Sequence, residues 1–385
     1  MYTFPKRSHS RLSAGKLSDI DLKMKDTYTL YGTVVTDGCI IENGAVAVEN
    51  GMILYAGARE LAPVVGEAED LTGCVLLPGF IDIHCHAGGE VWCHEDPRAV
   101  AEYHLKHGTT GLCCTLYRDL GTDGILAAQE KVKAAMKGSP SILGVHLEGP
   151  YLNPRYGAKP SDKPLIADPK EYMPLLETGI VRHATFAPEV EGTDQFLTDL
   201  LRFGIVGSIG HSEASPQAVQ RAADRGARCV THLFDATGAS ISPTRWDGTI
   251  ETDFNAAVLL CDDLYYELIC DSMGVHVRRE MLQLTKKLVG ASRIIGITDA
   301  CGGPSGTGDV NFEDGELNGS KLTMDQVAKN FYAAGFSLSE IAMVTAGNAA
   351  KLLGIYSETG SLEQGKRADI VALEKDFTVK RVYKA

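Results

Sequence analysis

The sequence predicts an α/β fold: a (β/α)₈ TIM barrel with a small β-sandwich built from the two ends of the chain. Three observations lead there. Eight apolar, strand-like runs alternate with amphipathic segments through the middle of the chain. The stretches on either side of that alternation are short, β-rich and broken by glycine. Polar residues able to bind a metal close six of the eight runs.

The 385 residues suit one large barrel plus a minor domain. Residues 1–26 read as an N-terminal extension, basic at first (MYTFPKRSHSRLSAGK) but without the apolar stretch of a signal peptide. Residues 27–76 together with 361–385 read as the β-sandwich. Asn50-Gly51, set between alternating apolar residues, marks a hairpin there. Residues 77–360 read as the barrel. Its expected strands begin at Val75, Thr109, Ser141, Val181, Gly204, Arg228, Tyr265 and Arg293. Helix-like segments such as DGILAAQEKVKAAMKG and SPQAVQRAADRGA lie between them.

Composition narrows the function. Hydrophobic residues make up 44% and charged residues 23%, the balance of a globular enzyme. A net charge of −13 argues against nucleic acid or an anionic membrane as partner. No apolar run approaches the roughly 18 residues of a membrane span. Ten cysteines without regular spacing read as reduced residues of a cytoplasmic protein, not a disulfide framework.

Active sites of barrels gather at the C-terminal ends of the strands. Here those ends carry His84-Cys85-His86, Glu148, His211, His232 and Asp299, with His276 beyond the seventh strand. Two residues apart on an extended strand, His84 and His86 face one side and Cys85 the other. His211 and His232 add imidazoles, and Glu148 adds a carboxylate able to hold one metal or bridge two. Nitrogen and oxygen donors without thiolate suit Zn²⁺, with Fe²⁺, Mn²⁺ and Co²⁺ as alternatives. A metal with an open position lowers the pKa of bound water towards about 7. Asp299 is then the natural acid/base, and His276 a candidate to hydrogen-bond the substrate or its carbonyl oxygen. Five other histidines of the barrel region (His94, His104, His107, His146, His183) read as structural. The glycine-rich CGGPSGTGD after Asp299 reads as a loop beside the site.

The segments LLPGFIDIHCHAGG, HLEGPYLNP, TFAPE, GHSEAS, THLFDAT, GVHV and ITDA, in this order, resemble the N-acetylglucosamine-6-phosphate deacetylases of the amidohydrolase superfamily. The resemblance spans residues 28–385 and implies metal-dependent hydrolysis of the amide of an N-acetylated amino sugar, by a homodimer. It implies Glu148, His211 and His232 as ligands of the main metal, with His84 and His86 as the pair able to hold a second. Asp299 becomes the acid/base and His276 the substrate-contacting histidine. Asp235 and Ala236 fall where the family touches the substrate phosphate, and Arg245 where it places a phosphate-binding arginine.

The substrate end departs from the family pattern. Asp235 replaces an asparagine, and a carboxylate about 4 Å from a phosphate repels it by roughly 4 kcal/mol at an effective dielectric near 20. Gly157-Ala158-Lys159 stands where a histidine is usual, so Lys159 and Arg245 are the candidates to restore positive charge. A different N-acyl amine or a cyclic amide is the alternative substrate. A non-catalytic binding protein is disfavoured because every expected ligand and Asp299 are present.

Overall fold

The computed structural model describes residues 26–36, 38–157, 165–238, 246, 249, 251–303, 306–313 and 315–385. Eight parallel strands form the central sheet. They are β1 (Phe80–Cys85), β2 (Thr109–Tyr117), β3 (Ile142–Glu148), β4 (Val181–Phe186), β5 (Val206–Ile209), β6 (Cys229–Val230), β7 (Tyr265–Ile269) and β8 (Ile294–Ile297). Neighbours in sequence are neighbours in space throughout. The last strand returns to the first, with Asp299 N–H donating to the His84 carbonyl (2.9 Å) and His86 N–H to that of Ala300 (2.9 Å). The expected (β/α)₈ barrel is therefore present, with helices such as Gly121–Met136 and Pro216–Asp224 between its strands.

The sequence expectation placed the first barrel strand from Val75, and the structure corrects this. Residues 75–78 belong to the terminal sheet, where Val75–Pro78 pair antiparallel with Ile370–Leu373. Gly79 makes the passage from one sheet to the other. A Cβ there would lie 2.3 Å from the Thr110 hydroxyl, so only glycine fits.

The terminal segments form one six-stranded sheet, ordered Val379–Tyr383, Ile370–Leu373, Glu67–Pro78, Tyr28–Thr36, Cys39–Glu49 and Met52–Ala58. The two layers of a sandwich arise here from one curled sheet, not from two separate ones. Register shifts at Gly32 and beside Tyr31 bend it. Its far edge, at Met52, bridges to Arg367, just before Ile370–Leu373, the strand next to the other edge. The curl encloses Leu30, Val46, Ile53, Leu76 and Ile370, all buried, and stacks Tyr28 on Tyr383 at 5.1 Å. Val35, Leu77 and Val371 join the barrel's own core instead, seating the sheet against the barrel. The N-terminal extension expected over 1–26 lies, but for Asp26, outside the described residues.

The barrel interior departs from the usual aliphatic filling. His146 and His183 stack at 3.9 Å with nearly parallel rings. The hydroxyls of Thr185, Ser208 and Thr231 form a chain, Thr231 lying 2.7 Å from Thr185 and 2.6 Å from Ser208. Every one of these polar groups is buried. The hydroxyl chain and His146, which bonds Thr115 and Thr185, hold one another in place. Together they form the floor on which the candidate site stands.

Candidate metal centre

The strand ends aim their side chains into the barrel mouth by means of unusual backbone. His211, His232 and Asp299 have φ of 47°, 26° and 46°, in the left-handed region that non-glycine residues avoid. Each stands where a strand has just ended, and the reversal points its side chain inward. Strain of this kind costs on the order of 1–3 kcal/mol per residue and tends to gather at functional sites. The sixth strand, expected from Arg228 to Phe234, stops at Val230 because His232 (26°) and Phe234 (φ 76°) break the extended chain.

Hydrogen bonds then fix each imidazole. His84 donates from Nδ1 to Glu267 Oε2 (3.1 Å), His211 to the Tyr156 carbonyl (3.3 Å) and His232 to the Asp235 carbonyl (3.2 Å). A proton held on Nδ1 leaves the Nε2 lone pair free, and all three Nε2 atoms face Glu148. Glu148 Oε1 is 2.8 Å from His211 Nε2, 3.3 Å from His232 Nε2 and 3.5 Å from His84 Nε2. The Nε2 atoms of His211 and His232 are 2.9 Å apart. Its other oxygen, Oε2, lies 3.2 Å from His86 Nε2. Asp299 Oδ1 completes the group, 3.2 Å from His86 Nε2 and 3.4 Å from His84 Nε2.

These residues fit a divalent cation. Tetrahedral donors about 2.1 Å from a zinc ion stand roughly 3.4 Å from one another, close to the spacings here. The electrostatics agree. Burial alone would push the His84 imidazole down, yet Asp299, Glu148 and Glu267 outweigh it and hold His84 well above its ordinary range. His232, likewise buried, is carried up to about 9 chiefly by Glu148 and Asp235. Burial likewise works against the Glu148 carboxylate, which His84, His211 and His232 nevertheless hold well below its usual range. The cluster calls for positive charge at its centre. His84, Glu148 and His232 would form one cation position and His84, His86 and Asp299 an overlapping one. A third grouping, Asp82, Cys85 and His104, is tied up by neighbouring groups. Asp82 accepts from the Thr298 hydroxyl (2.6 Å) and His104 Nε2 meets the Ala87 carbonyl (2.8 Å).

Two supporting carboxylates were not singled out from the sequence. Glu189, in the TFAPE segment, accepts from Asn153 (2.9 Å), the Ser212 hydroxyl (2.7 Å) and the Glu213 amide (2.8 Å). It thereby ties the loop after Glu148 to the loop of His211. Glu267 is fully buried on β7, between His84 and His183. Burial would raise its pKa, but the two imidazoles, His183 at 3.5 Å and His84 hydrogen-bonded to it, lower it to about 2. Replacing Glu267 with glutamine should weaken metal affinity about 10–100-fold, because the His84 tautomer loses its anchor. Competition against a chromophoric chelator measures this, and unchanged affinity would show that Glu267 serves packing alone.

A cleft of about 710 Å³ opens above the cluster. His86, Glu148, His211, His232 and Asp299 form its floor, and Asp235 and Ala236 are on its wall. The segment after Asp299 is not a simple loop. Within CGGPSGTGD, Gly306–Thr307 form a short strand that pairs with Val310–Glu313, and Glu316–Ser320 completes a three-stranded sheet whose last strand lines the cleft. That strand also screens His276. Expected to touch substrate, His276 instead lies behind Gly319, with Nε2 3.1 Å from the Gly319 carbonyl and Nδ1 3.1 Å from Asp271. Lys159 and Arg245 lie outside the described residues.

The model of the amidohydrolase family matches residues 75–385. The chain belongs to the amidohydrolase family, whose members are metal-dependent hydrolases of amide C–N bonds. It is 32% identical over 378 residues to the N-acetylglucosamine-6-phosphate deacetylase of Bacillus subtilis, covering 90% of this chain and 92% of that one. It is 27% identical over 381 residues to the N-acetylgalactosamine-6-phosphate deacetylase of a Shewanella strain, covering 91% and 92%. The crystal structure of the N-acetylglucosamine-6-phosphate deacetylase of Pasteurella multocida superposes with a TM-score of 0.81 at 28% identity, over 92% of this chain and 97% of that one.

Proposed function

We propose that this amidohydrolase removes the acetyl group from an N-acetylated amino sugar 6-phosphate, giving the free amine and acetate. The observation that carries the reading is the convergence of three Nδ1-anchored imidazoles on Glu148, with the Asp299 carboxylate beside them. Glu148, His211 and His232 would hold a divalent cation, zinc by the chemistry of the donors, and His84 and His86 would complete a second position. When bound, the ion polarises the amide carbonyl and acidifies water.

The chain's own groups handle the protons. Asp299 takes one from the attacking water as oxygen adds to the carbonyl carbon. It returns that proton to the amine nitrogen as the C–N bond breaks. Burial opposes charge on Asp299, but the imidazoles of His84 and His86 hold it below the ordinary carboxylate range. It is thus ionised and ready to accept. Asp271 and Gly319 lock His276, which steadies the strand lining the cleft in this reading.

The same reading makes the protein a cytoplasmic homodimer. All ten cysteines are free and nine are buried, which suits a reducing compartment. Among the described residues no helix is long and apolar enough to cross a membrane.

The test is acetate release by zinc-loaded protein from N-acetylglucosamine 6-phosphate, with the galacto epimer and the unphosphorylated sugar alongside. Preferred turnover of a 6-phosphate is expected. Turnover of the unphosphorylated sugar alone would point to a neutral N-acyl amine, the substrate that Asp235 favours on charge.

A further inference from the structure

Away from the metal ligands the cleft is lined by four carboxylates, Glu95, Asp119, Asp235 and Glu316. A substrate anion is repelled from most of this surface. Among the described residues on its wall, one side chain is permanently cationic, Arg118. Arg118 follows β2 directly, and its neighbour Tyr117 is the register partner of Glu148 on β3. A Cβ at Gly149 would be 3.4 Å from that of Arg118, so the arginine stem starts one residue beyond the metal carboxylate. Its side chain is 17% exposed and its Nε lies 3.3 Å from Asp119, whose side chain is half exposed. A charge-assisted bidentate contact is stronger than a single N–H···O pair, so a substrate phosphate or carboxylate competes with Asp119 for the guanidinium. Beside it Trp92, His94 and Tyr117 form an aromatic wall, with ring centroids 5.7–5.9 Å apart. Such a wall packs a sugar face or an acyl chain.

We propose that Arg118 docks an oxyanion of the substrate, so that the anionic end lies on the Trp92–Arg118 side of the cleft, away from Asp235. This rests on the amide-hydrolase reading above. The oxyanion has two sources, the phosphate of the sugar or a carboxylate at the end of the acyl group, and the experiment separates them.

Zinc-loaded wild type, Arg118→Met and Arg118→Lys are compared on N-acetylglucosamine, its 6-phosphate and N-succinylglucosamine. Calorimetric binding of glucosamine 6-phosphate and of succinate runs in parallel. Zinc content and Tm confirm that each variant is folded, and the lysine variant keeps both stem and charge. In Arg118→Met, kcat/KM for the anionic substrate should fall about 10–100-fold relative to N-acetylglucosamine, with part restored by lysine. Loss on the 6-phosphate identifies the sugar phosphate as the anion, and loss on the succinyl compound identifies the acyl carboxylate. Equal losses on neutral and anionic substrates, or no change in preference, would overturn the proposal. Should none of the sugars be turned over, the parent reading fails, and binding alone decides Arg118. Weaker binding of either anion to the methionine variant supports it, and binding that is equal or absent in both proteins overturns it.

Discussion

Asp299→Asn should lower turnover by about 10²–10⁴-fold while leaving the fold in place. That is the range expected when a positioned general acid/base is removed. Asparagine suits this position better than alanine for a reason visible in the backbone. At φ 46° Asp299 is left-handed, and asparagine is among the few residues that accept that conformation without large strain. The backbone bonds that fix it, its own amide to His84 and the Ser320 amide to its carbonyl (2.8 Å), are untouched. The amide retains size and one acceptor oxygen but cannot carry a proton from water to nitrogen. Because Asp299 also borders one of the two overlapping cation positions, metal content must be measured with kcat. A variant with full metal and activity within tenfold of wild type would remove Asp299 from the chemistry.

The parts of this site that were legible in the sequence are those that lie at strand ends. In an α/β barrel the strand's C-terminal end is the mouth, so a polar residue closing an apolar run is already located in space. His84 and His86 followed from period-two alternation alone, and the structure turns Cys85 the other way, towards His104 at 3.2 Å. Glu267 escaped because it sits inside an apolar strand, where a carboxylate reads as an interruption. The signal was present in YYELICD, since a charge buried there requires partners, but the partners come from β1 and β4. The left-handed φ at His211 and His232 falls on the histidines themselves, not on a glycine that would announce it. It is set by tertiary contacts across the barrel, which shortened β6 to two residues. The surroundings of His276 were not legible for a similar reason. Its own segment reads correctly, and it is the Glu316–Ser320 strand, 40 residues further on, that covers it. Arg118 was overlooked because its neighbours on the cleft wall, Trp92 and His94, come from another loop.

Glu148→Gln should abolish metal binding and activity together. Chelation of the wild type should produce the same loss, reversed by added zinc in the wild type and not in the variant. One oxygen of Glu148 faces His84, His211 and His232, and the other faces His86, so this one carboxylate reaches all four imidazoles of the cluster. Glutamine keeps the shape but removes the negative charge. It also presents an N–H₂ to imidazole nitrogens whose Nδ1 protons are already committed elsewhere. Stability gives an independent reading. A ligand at a thousand times its Kd that binds only the folded state adds about 4 kcal/mol. Chelation should therefore lower the Tm of wild type by several degrees and leave that of Glu148→Gln unmoved. If the variant kept wild-type metal affinity and still lost activity, Glu148 would be a proton-transfer group rather than a ligand. The cation would then rest on the imidazoles alone.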